Sequence, residues 1–413
     1  MNAFIKRGWF AVFACAVTTF NSGALFFGYP GIVTEYWAEL FNAGSGETGW
    51  IMTFALLGVG TFTLVTGFIH EKIGTRISFT IGSCILIFCM LFANFASSIP
   101  QIYIWGFLNG AGTGFIYGPS LTTVQHWFPH KRGLATGIVN LVFGTAAAIM
   151  SPLYSFLLNN VGYEKMNYIA VVMLIVLNGI GIGFAEIPEK ARLSDEQREG
   201  HLKIKEKVRQ QTEGKGPSLA VEPKTVPQAL RTWRFWAIWL CWAFVGAAGI
   251  SMVSHGSGFA SAAGVSSVVV ITAFNLTNGI SRIVAGSVSD LIGRRVTACT
   301  AFILGCIGYA VLPFCSNIVL ISVLAAFVGF SFGTLFAISS PLVSDIFGIK
   351  YYSSIFSLIF TAYGFISGVA GPALTGIIIT STGGYTVPFL MLAAFCLISA
   401  VLILTARRPK SER

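Results

Sequence analysis

Apolar residues run along this chain in charge-free blocks long enough to cross a bilayer, at 8–34, 48–70, 77–130, 133–163, 166–185, 235–281, 296–344 and 351–406. A helix rises about 1.5 Å per residue, so roughly 20 apolar residues cover the ~30 Å hydrocarbon core. The blocks at 77–130, 296–344 and 351–406 each have room for two such helices. The block 235–281 holds one helix and, after the polar break at His255-Gly-Ser-Gly, the start of another. The pattern predicts twelve spans, near 8–29, 46–69, 76–95, 101–124, 133–156, 166–185, 233–254, 266–288, 296–313, 317–340, 352–376 and 384–406. The first block is too long for a signal-peptide core and is expected to remain as a signal anchor. The fold class is therefore an all-α membrane protein.

The spans fall into two related sets. Gly67-Phe-Ile-His-Glu71-Lys-Ile-Gly74-Thr-Arg76 aligns with Gly286-Ser-Val-Ser-Asp290-Leu-Ile-Gly293-Arg294-Arg295, so that Gly67, Glu71, Gly74 and Arg76 meet Gly286, Asp290, Gly293 and Arg295 at one shift of 219 residues. The same shift sets Gly114 on Gly333, Phe128 on Phe347 and Lys131 on Lys350. Four matched roles in ten residues at one offset predict two pseudo-symmetric six-helix bundles, a parallel-repeat arrangement expected to hold a transport site between its halves. The predicted divisions are residues 1–185, a polar cytoplasmic linker at 186–232, and residues 233–413. Within the linker, Ser194-Asp-Glu-Gln197 is a capping box that predicts a helix over 195–211, and 212–228 reads as a flexible tether.

Composition agrees and removes several classes. At 54% hydrophobic, 10% charged and a mean hydropathy of +0.76, the chain is unlike a soluble domain of its 413 residues. The net charge of +10 would suit a polyanion partner if it were clustered. With both termini cytoplasmic, however, every Lys and Arg except Lys165 and Arg282 falls in a cytoplasmic segment, as the positive-inside rule requires. The charge records topology and attraction to anionic membrane lipid, with no nucleic-acid partner. All eight cysteines lie in apolar spans without metal-ligand spacing, and read as small hydrophobes. No nucleophile–base pair, metal cluster or phosphate loop is apparent, so no enzyme activity and no cofactor are expected, and the chain is read as a monomer.

The paired loops are short cytoplasmic turns in which glycine permits a tight reversal. The acid and arginine can pair with helix ends or the opposite half in one of two states. Gly67, Glu71, Gly74, Arg76, Asp290, Gly293, Arg294 and Arg295 are the expected conformational latch.

One charge breaks the apolar pattern. Arg282 lies eight residues before Asp290, about 12 Å from the helix end. Placing a charge there costs at least about 2.5–3.5 kcal/mol, so such a residue ordinarily faces a cavity and serves transport. Its side chain should lean toward the membrane centre, because helical side chains point toward their own N-terminus and this helix runs from outside to inside. Arg282 is read as an anion site. Asn278, one turn earlier, shares its helix face.

At this point the chain resembles the major facilitator superfamily, whose signature loop is similar to the one after span 2 and its copy after span 8. Gly112-Thr-Gly-Phe-Ile-Tyr117-Gly, Trp127-Phe-Pro-His-Lys131-Arg-Gly-Leu-Ala-Thr-Gly137, Thr232-Trp-Arg-Phe-Trp and Ser344-Asp-Ile-Phe-Gly348 resemble its oxalate:formate antiporter and monocarboxylate transporter group. The resemblance implies a cavity between halves where an arginine on the eighth helix, here Arg282, binds a substrate carboxylate. It also implies a lining tyrosine on the fourth helix, here Tyr117, whose repeat mate is Phe336. Two departures matter: Tyr363 stands where the oxalate:formate antiporter carries a lysine, and Asn278 stands where animal-type carriers place an aspartate.

One fixed cation matches one carboxylate, while a dianion would leave a charge uncompensated at low dielectric. The expectation is thus a secondary carrier of small monocarboxylates of the lactate and pyruvate class, with Phe26, Phe27, Tyr117, Phe336 and Tyr363 walling a short hydrocarbon body. With no membrane carboxylate to carry a proton, His255 is the titratable candidate for proton coupling or gating. Proton symport is expected over exchange. An oxalate/formate-type exchanger and a carboxylate sensor that moves nothing are the alternatives. His70, His126 and His130 lie at cytoplasmic ends and are expected to be structural.

Overall fold

The chain reverses where the paired loops place glycines. Gly74 has φ 82° and Gly293 φ 98°, a region that L side chains avoid and glycine enters freely. The computed structural model describes residues 2–43, 45–129, 131–213 and 223–407, and among them every regular element is a helix. Ten helices are long and apolar enough to cross a membrane. One of these, Ser45–Ala93, bends at Gly74 into the second and third spans. Ile99–Trp127, rich in buried Gly, Ser and Thr, supplies the fourth. The fifth and sixth are Arg132–Val161 and Tyr163–Phe184. In the second half Trp233–Ala262, Ser267–Ile292, Arg294–Val311 and Ile318–Phe347 are followed by Tyr352–Thr382 and Thr386–Thr405.

Two spans are not regular. The first runs as Asn2–Gly23, a π turn at Ala24–Gly28, then Tyr29–Phe41. The eleventh runs as Tyr352–Thr361, a π turn at Ala362–Ser367, then Gly368–Thr382. Such turns insert a residue into the helical ladder and are frequent at functional sites. The first helix therefore continues past its expected end near residue 29. Pro30 lies in the first turn after the π segment, where a missing N–H costs little, and left-handed Asn42 ends the helix.

The linker holds the expected helix, Asp195–Glu213, and a shorter one that sequence reading assigns to flexible tether, Val226–Leu230. Thr225 and Gln228 cap the latter reciprocally, and Lys224 N–H donates to Phe347 O at 3.0 Å, docking this end on the tenth span. The remainder of the expected tether, 214–222, lies outside the described residues.

The two six-helix bundles meet along the fifth and eighth spans and along the second and eleventh. Glycine permits both approaches. A Cβ on Gly133 would stand 2.3 Å from Gly286 O, and one on Gly60 2.9 Å from Gly364 Cα. The outward surface carries Phe88, Ile149, Phe156, Val172, Leu397 and Val401 exposed, an apolar belt that only lipid can cover.

Candidate functional site

Arg282 sits between the halves and is 2% exposed. The expected open vestibule is not what surrounds it. Its Nη1 donates to the backbone oxygen of Asn140, on the fifth span across the interface, at 2.8 Å, and its Nη2 to Asn278 Oδ1 at 3.3 Å. The guanidinium lies over the Phe336 ring at 4.5 Å. It fits there because residue 144 is glycine: a Cβ would stand 2.6 Å from Arg282 Cζ. The fifth and eighth spans approach at small residues, so the cation fills a slot in the interface rather than standing in water. Among the described residues no carboxylate pairs with it, and its Nε is buried without a partner. What is left for an anion is the edge formed by Nε and the weakly held Nη2, the side-on geometry that takes a carboxylate with two parallel bonds.

Asn140 organises the other wall. Its Oδ1 accepts from Tyr117 Oη at 2.7 Å, and its Nδ2 donates to Phe336 O at 3.1 Å. Tyr117 therefore faces the site through Asn140. Asn278 uses its carbonyl on Arg282, leaving its amide hydrogens to donate.

An aromatic belt continues from there. The Phe336 ring meets Tyr363 at 5.3 Å and Trp242 at 4.9 Å, while Trp242 and Tyr363 lie 5.5 Å apart. Phe360 joins Tyr363 to Tyr117 at 5.2 and 5.5 Å, and Phe143 joins Tyr117 to Phe27 at 5.0 and 5.5 Å. Phe26 and Phe27 belong to the π turn of the first span, and Tyr363 to that of the eleventh. Two further donors in the belt are buried without partners among the described residues, Tyr363 Oη and Trp242 Nε1. Burying an unmatched donor costs about 1–3 kcal/mol, and three such donors belong to residues packed on the Phe336 ring.

The structure brings together Arg282, Asn278, Tyr117, Phe336 and Tyr363, and sets Phe26 and Phe27 behind Phe143. Sequence reading misses Asn140, Gly144, Trp242, Phe143 and Phe360, which carry no signal distinguishing them from ordinary residues of apolar helices. His255 is half-buried and pairs through Nε2 with Pro372 O at 2.9 Å. That contact joins the seventh and eleventh spans of one half. His70 bonds Thr75 Oγ1 at 3.1 Å, and His126 lies 3.3 Å from Glu189; His130 is outside the described residues.

The described polar contacts between halves lie between Arg282 and the face that carries the linker. Asp290 accepts from Gly133 N and Leu134 N at 3.3 and 3.2 Å, capping the fifth span, and pairs with Arg294. Asp345 joins Arg294 and Arg132 at 3.3 and 3.4 Å. Gln125 Nε2 donates to Ser340 Oγ at 2.8 Å, and Ser354 Oγ to Gly67 O at 2.8 Å. Three members of the expected latch make hydrogen bonds that do not cross between the bundles. Arg76 donates to Gly183 O at 2.9 Å and Arg295 to Leu404 O at 2.8 Å, while the Glu71 carbonyl receives Lys190 Nζ at 2.7 Å. The asymmetry has a cause at the 219 shift: Arg294 corresponds to Thr75 and Asp345 to His126, so the first half lacks counterparts of that ion pair.

The two bundles thus meet at a charged clasp and at a buried cluster of polar and aromatic side chains around Arg282, and the comparisons with known proteins identify a membrane transporter. The family model of the Major Facilitator Superfamily matches residues 12–271 and 258–413, and the chain belongs to that family. It is 29% identical over 338 residues to an oxalate:formate antiporter of Oxalobacter formigenes, covering 79% of this chain and 74% of that one. It is 26% identical over 161 residues to monocarboxylate transporter 2 of Mus musculus, covering 38% of this chain and 33% of the relative. The solved proton:xylose symporter XylE shares the fold, with a TM-score of 0.69 over 96% of this chain and 95% of that one at 15% identity.

Proposed function

We propose that this protein is a secondary carrier of small monocarboxylates, of the lactate and pyruvate class, working by alternating access. The observation that carries the reading is the unengaged Nε edge of Arg282 beside the unpartnered Tyr363 Oη and Trp242 Nε1. Together they offer donors to one carboxylate and one further oxygen, with Phe336 and Phe360 enclosing a short carbon body. With one cation and no second charge among the site residues, a monoanion is neutralised and a dianion is not. The similarity to an oxalate:formate antiporter and a monocarboxylate transporter supports a carboxylate cargo.

The clasp closes the linker face, and the positive-inside distribution supports assigning that face, with both termini, to the cytoplasm. The halves, 1–185 and 233–413, then rock about the site as a monomer, with 186–232 as tether. Coupling to a proton is the preferred mode; the charge balance, neutral when loaded and +1 when empty, suits co-movement with a proton and anion exchange alike. His255 is the titratable residue proposed to gate or couple. Exchange is the second reading, favoured by the antiporter similarity. In proteoliposomes, labelled lactate or pyruvate uptake driven by an inward proton gradient supports symport. Uptake that requires internal carboxylate and ignores the gradient supports exchange. Absence of any carboxylate flux refutes the substrate class.

A further inference from the structure

Away from the transport site, the ends of the first and sixth spans form a cleft of about 450 Å³ at the linker face, bordered by Ala3, Lys6, Arg7, Phe10, Phe184 and Gln197. Its charge is one-sided. The Arg7 guanidinium lies 6.0 Å from the Trp127 ring and 5.7 Å from that of Phe184, and its Nη1 is buried without a hydrogen-bond partner among the described residues. Arg76 donates through Nη2 to Gly183 O, in the wall of the same cleft, and its Nε is likewise buried and unpartnered. The two guanidiniums are near enough to repel one another. Among the described residues neither makes an ion pair with a carboxylate.

Like charges held together with unmatched N–H groups are unfavourable unless an anion joins them. Lys6 and Arg7 line the cleft and Arg76 backs its wall at Gly183, a concentration of positive charge that suits the oxygens of a phosphate. The other end of the cleft is apolar: Phe10 and Phe184 stack at 6.0 Å and are 57% and 46% exposed on the lipid-facing surface. Cations at the end of a span beside exposed aromatic rings make an amphipathic site.

We propose that this cleft binds the phosphate headgroup of one anionic phospholipid, with Lys6 and Arg7 on the phosphate, Arg76 adding charge from behind Gly183, and Phe10 and Phe184 against an acyl chain. Gln197, on the linker helix, borders the same cleft, so the bound lipid joins that helix to the first and sixth spans. The proposal does not rest on the transport reading, since the lipid site and the central site share no residue.

The test uses the full chain in nanodiscs of phosphatidylcholine alone or with phosphatidylglycerol. Wild-type protein is expected to melt higher as phosphatidylglycerol is added, saturating at low fraction, and to retain one such lipid per chain in native mass spectrometry. Lys6→Gln/Arg7→Gln should melt like wild type in phosphatidylcholine and lose both the shift and the retained lipid. Arg231→Gln, an exposed cation elsewhere on the same face, should keep both. Equal loss in the Arg231 variant would mean general surface attraction and overturn the site. So would an undiminished shift in the double variant. If millimolar inorganic phosphate in detergent reproduces the full shift without lipid, the ligand is a free anion and the lipid assignment is wrong.

Discussion

Arg282 Nη1 donates to the backbone oxygen of Asn140 across the interface at 2.8 Å, so the cation that would bind substrate also ties the halves together. The same asparagine holds Tyr117 Oη and reaches back to Phe336 O. A carboxylate arriving on the Nε edge would meet a guanidinium already oriented at its other end. Orientation lowers the entropic cost of binding, because less side-chain freedom is lost when the anion arrives. It also gives the carrier a way to register occupancy at the interface that must separate.

Replacing Arg282 is accordingly expected to do more than remove a charge. Arg282→Ala should abolish uptake, a loss of at least roughly 10–100-fold for about 1.5–3 kcal/mol of charged hydrogen bonding, while the purified protein remains folded. Arg282→Lys should fail nearly as badly, since one ammonium cannot serve Asn140 and a bidentate carboxylate together. Labelled monocarboxylate uptake in proteoliposomes, with circular dichroism on the same samples, decides it; near-normal uptake by the alanine variant would exclude the reading.

Tyr363 tests the charge argument from the other side. It lies against Phe336, whose ring carries Arg282, and its hydroxyl has no partner. Tyr363→Lys supplies a second cation beside the first and is expected to raise affinity for oxalate while weakening that for lactate. Competition of unlabelled oxalate against labelled lactate measures both changes, and an unchanged oxalate affinity would defeat the one-cation account.

The clasp gives an asymmetric expectation from a symmetric-looking sequence. Asp290 caps the fifth span and pairs with Arg294, whereas among the described residues the hydrogen bond at its repeat mate Glu71 is from Lys190 to the backbone oxygen. Asp290→Asn should loosen the linker face, because the amide loses the ion pair with Arg294 and keeps one acceptor instead of two for Gly133 N and Leu134 N, leaving Arg294 held by Asp345. Glu71→Gln should change little. Spin labels on the linker-face ends of the fifth and eighth spans should move apart in the first variant only. Equal widening in both would show that the repeat is symmetric in function.

What the sequence displays follows from what each feature needs in order to be seen. Bilayer-length apolar windows need no neighbours, so all twelve spans are legible, as are the glycines that turn the paired loops. Arg282 stands out because a charge in an apolar run has no local explanation. Asn140 and Trp242 do not: a polar amide or an indole inside a helix means little until the opposite half is seen to face it. The first helix overruns its expected end because helical geometry does not stop where apolarity does. The clasp is half visible. The 219 shift identifies Asp290, but the same arithmetic sets Thr75 and His126 opposite Arg294 and Asp345, and that mismatch signals the lost symmetry.

Gly144 carries the last prediction, since it is a site residue with no side chain. A Cβ there would stand 2.6 Å from Arg282 Cζ, closer than real contacts allow, so the guanidinium would have to leave its seat against Asn140 and Phe336. Overpacking of this kind costs about 1–3 kcal/mol. Here it should fall on the site more than on the fold, because the displaced group is the end of a long side chain. Gly144→Ala is expected to weaken substrate binding roughly tenfold or more, since about 1.4 kcal/mol is a factor of ten in affinity, with little change in melting temperature. Gly28→Ala is the control. It introduces the same methyl group near Ala147, with a nearest approach of 3.1 Å, away from Arg282. Binding of labelled lactate to both purified variants separates the two sites: equal losses would mean that crowding anywhere near the fifth span suffices, and the seat for the cation would lose its special role.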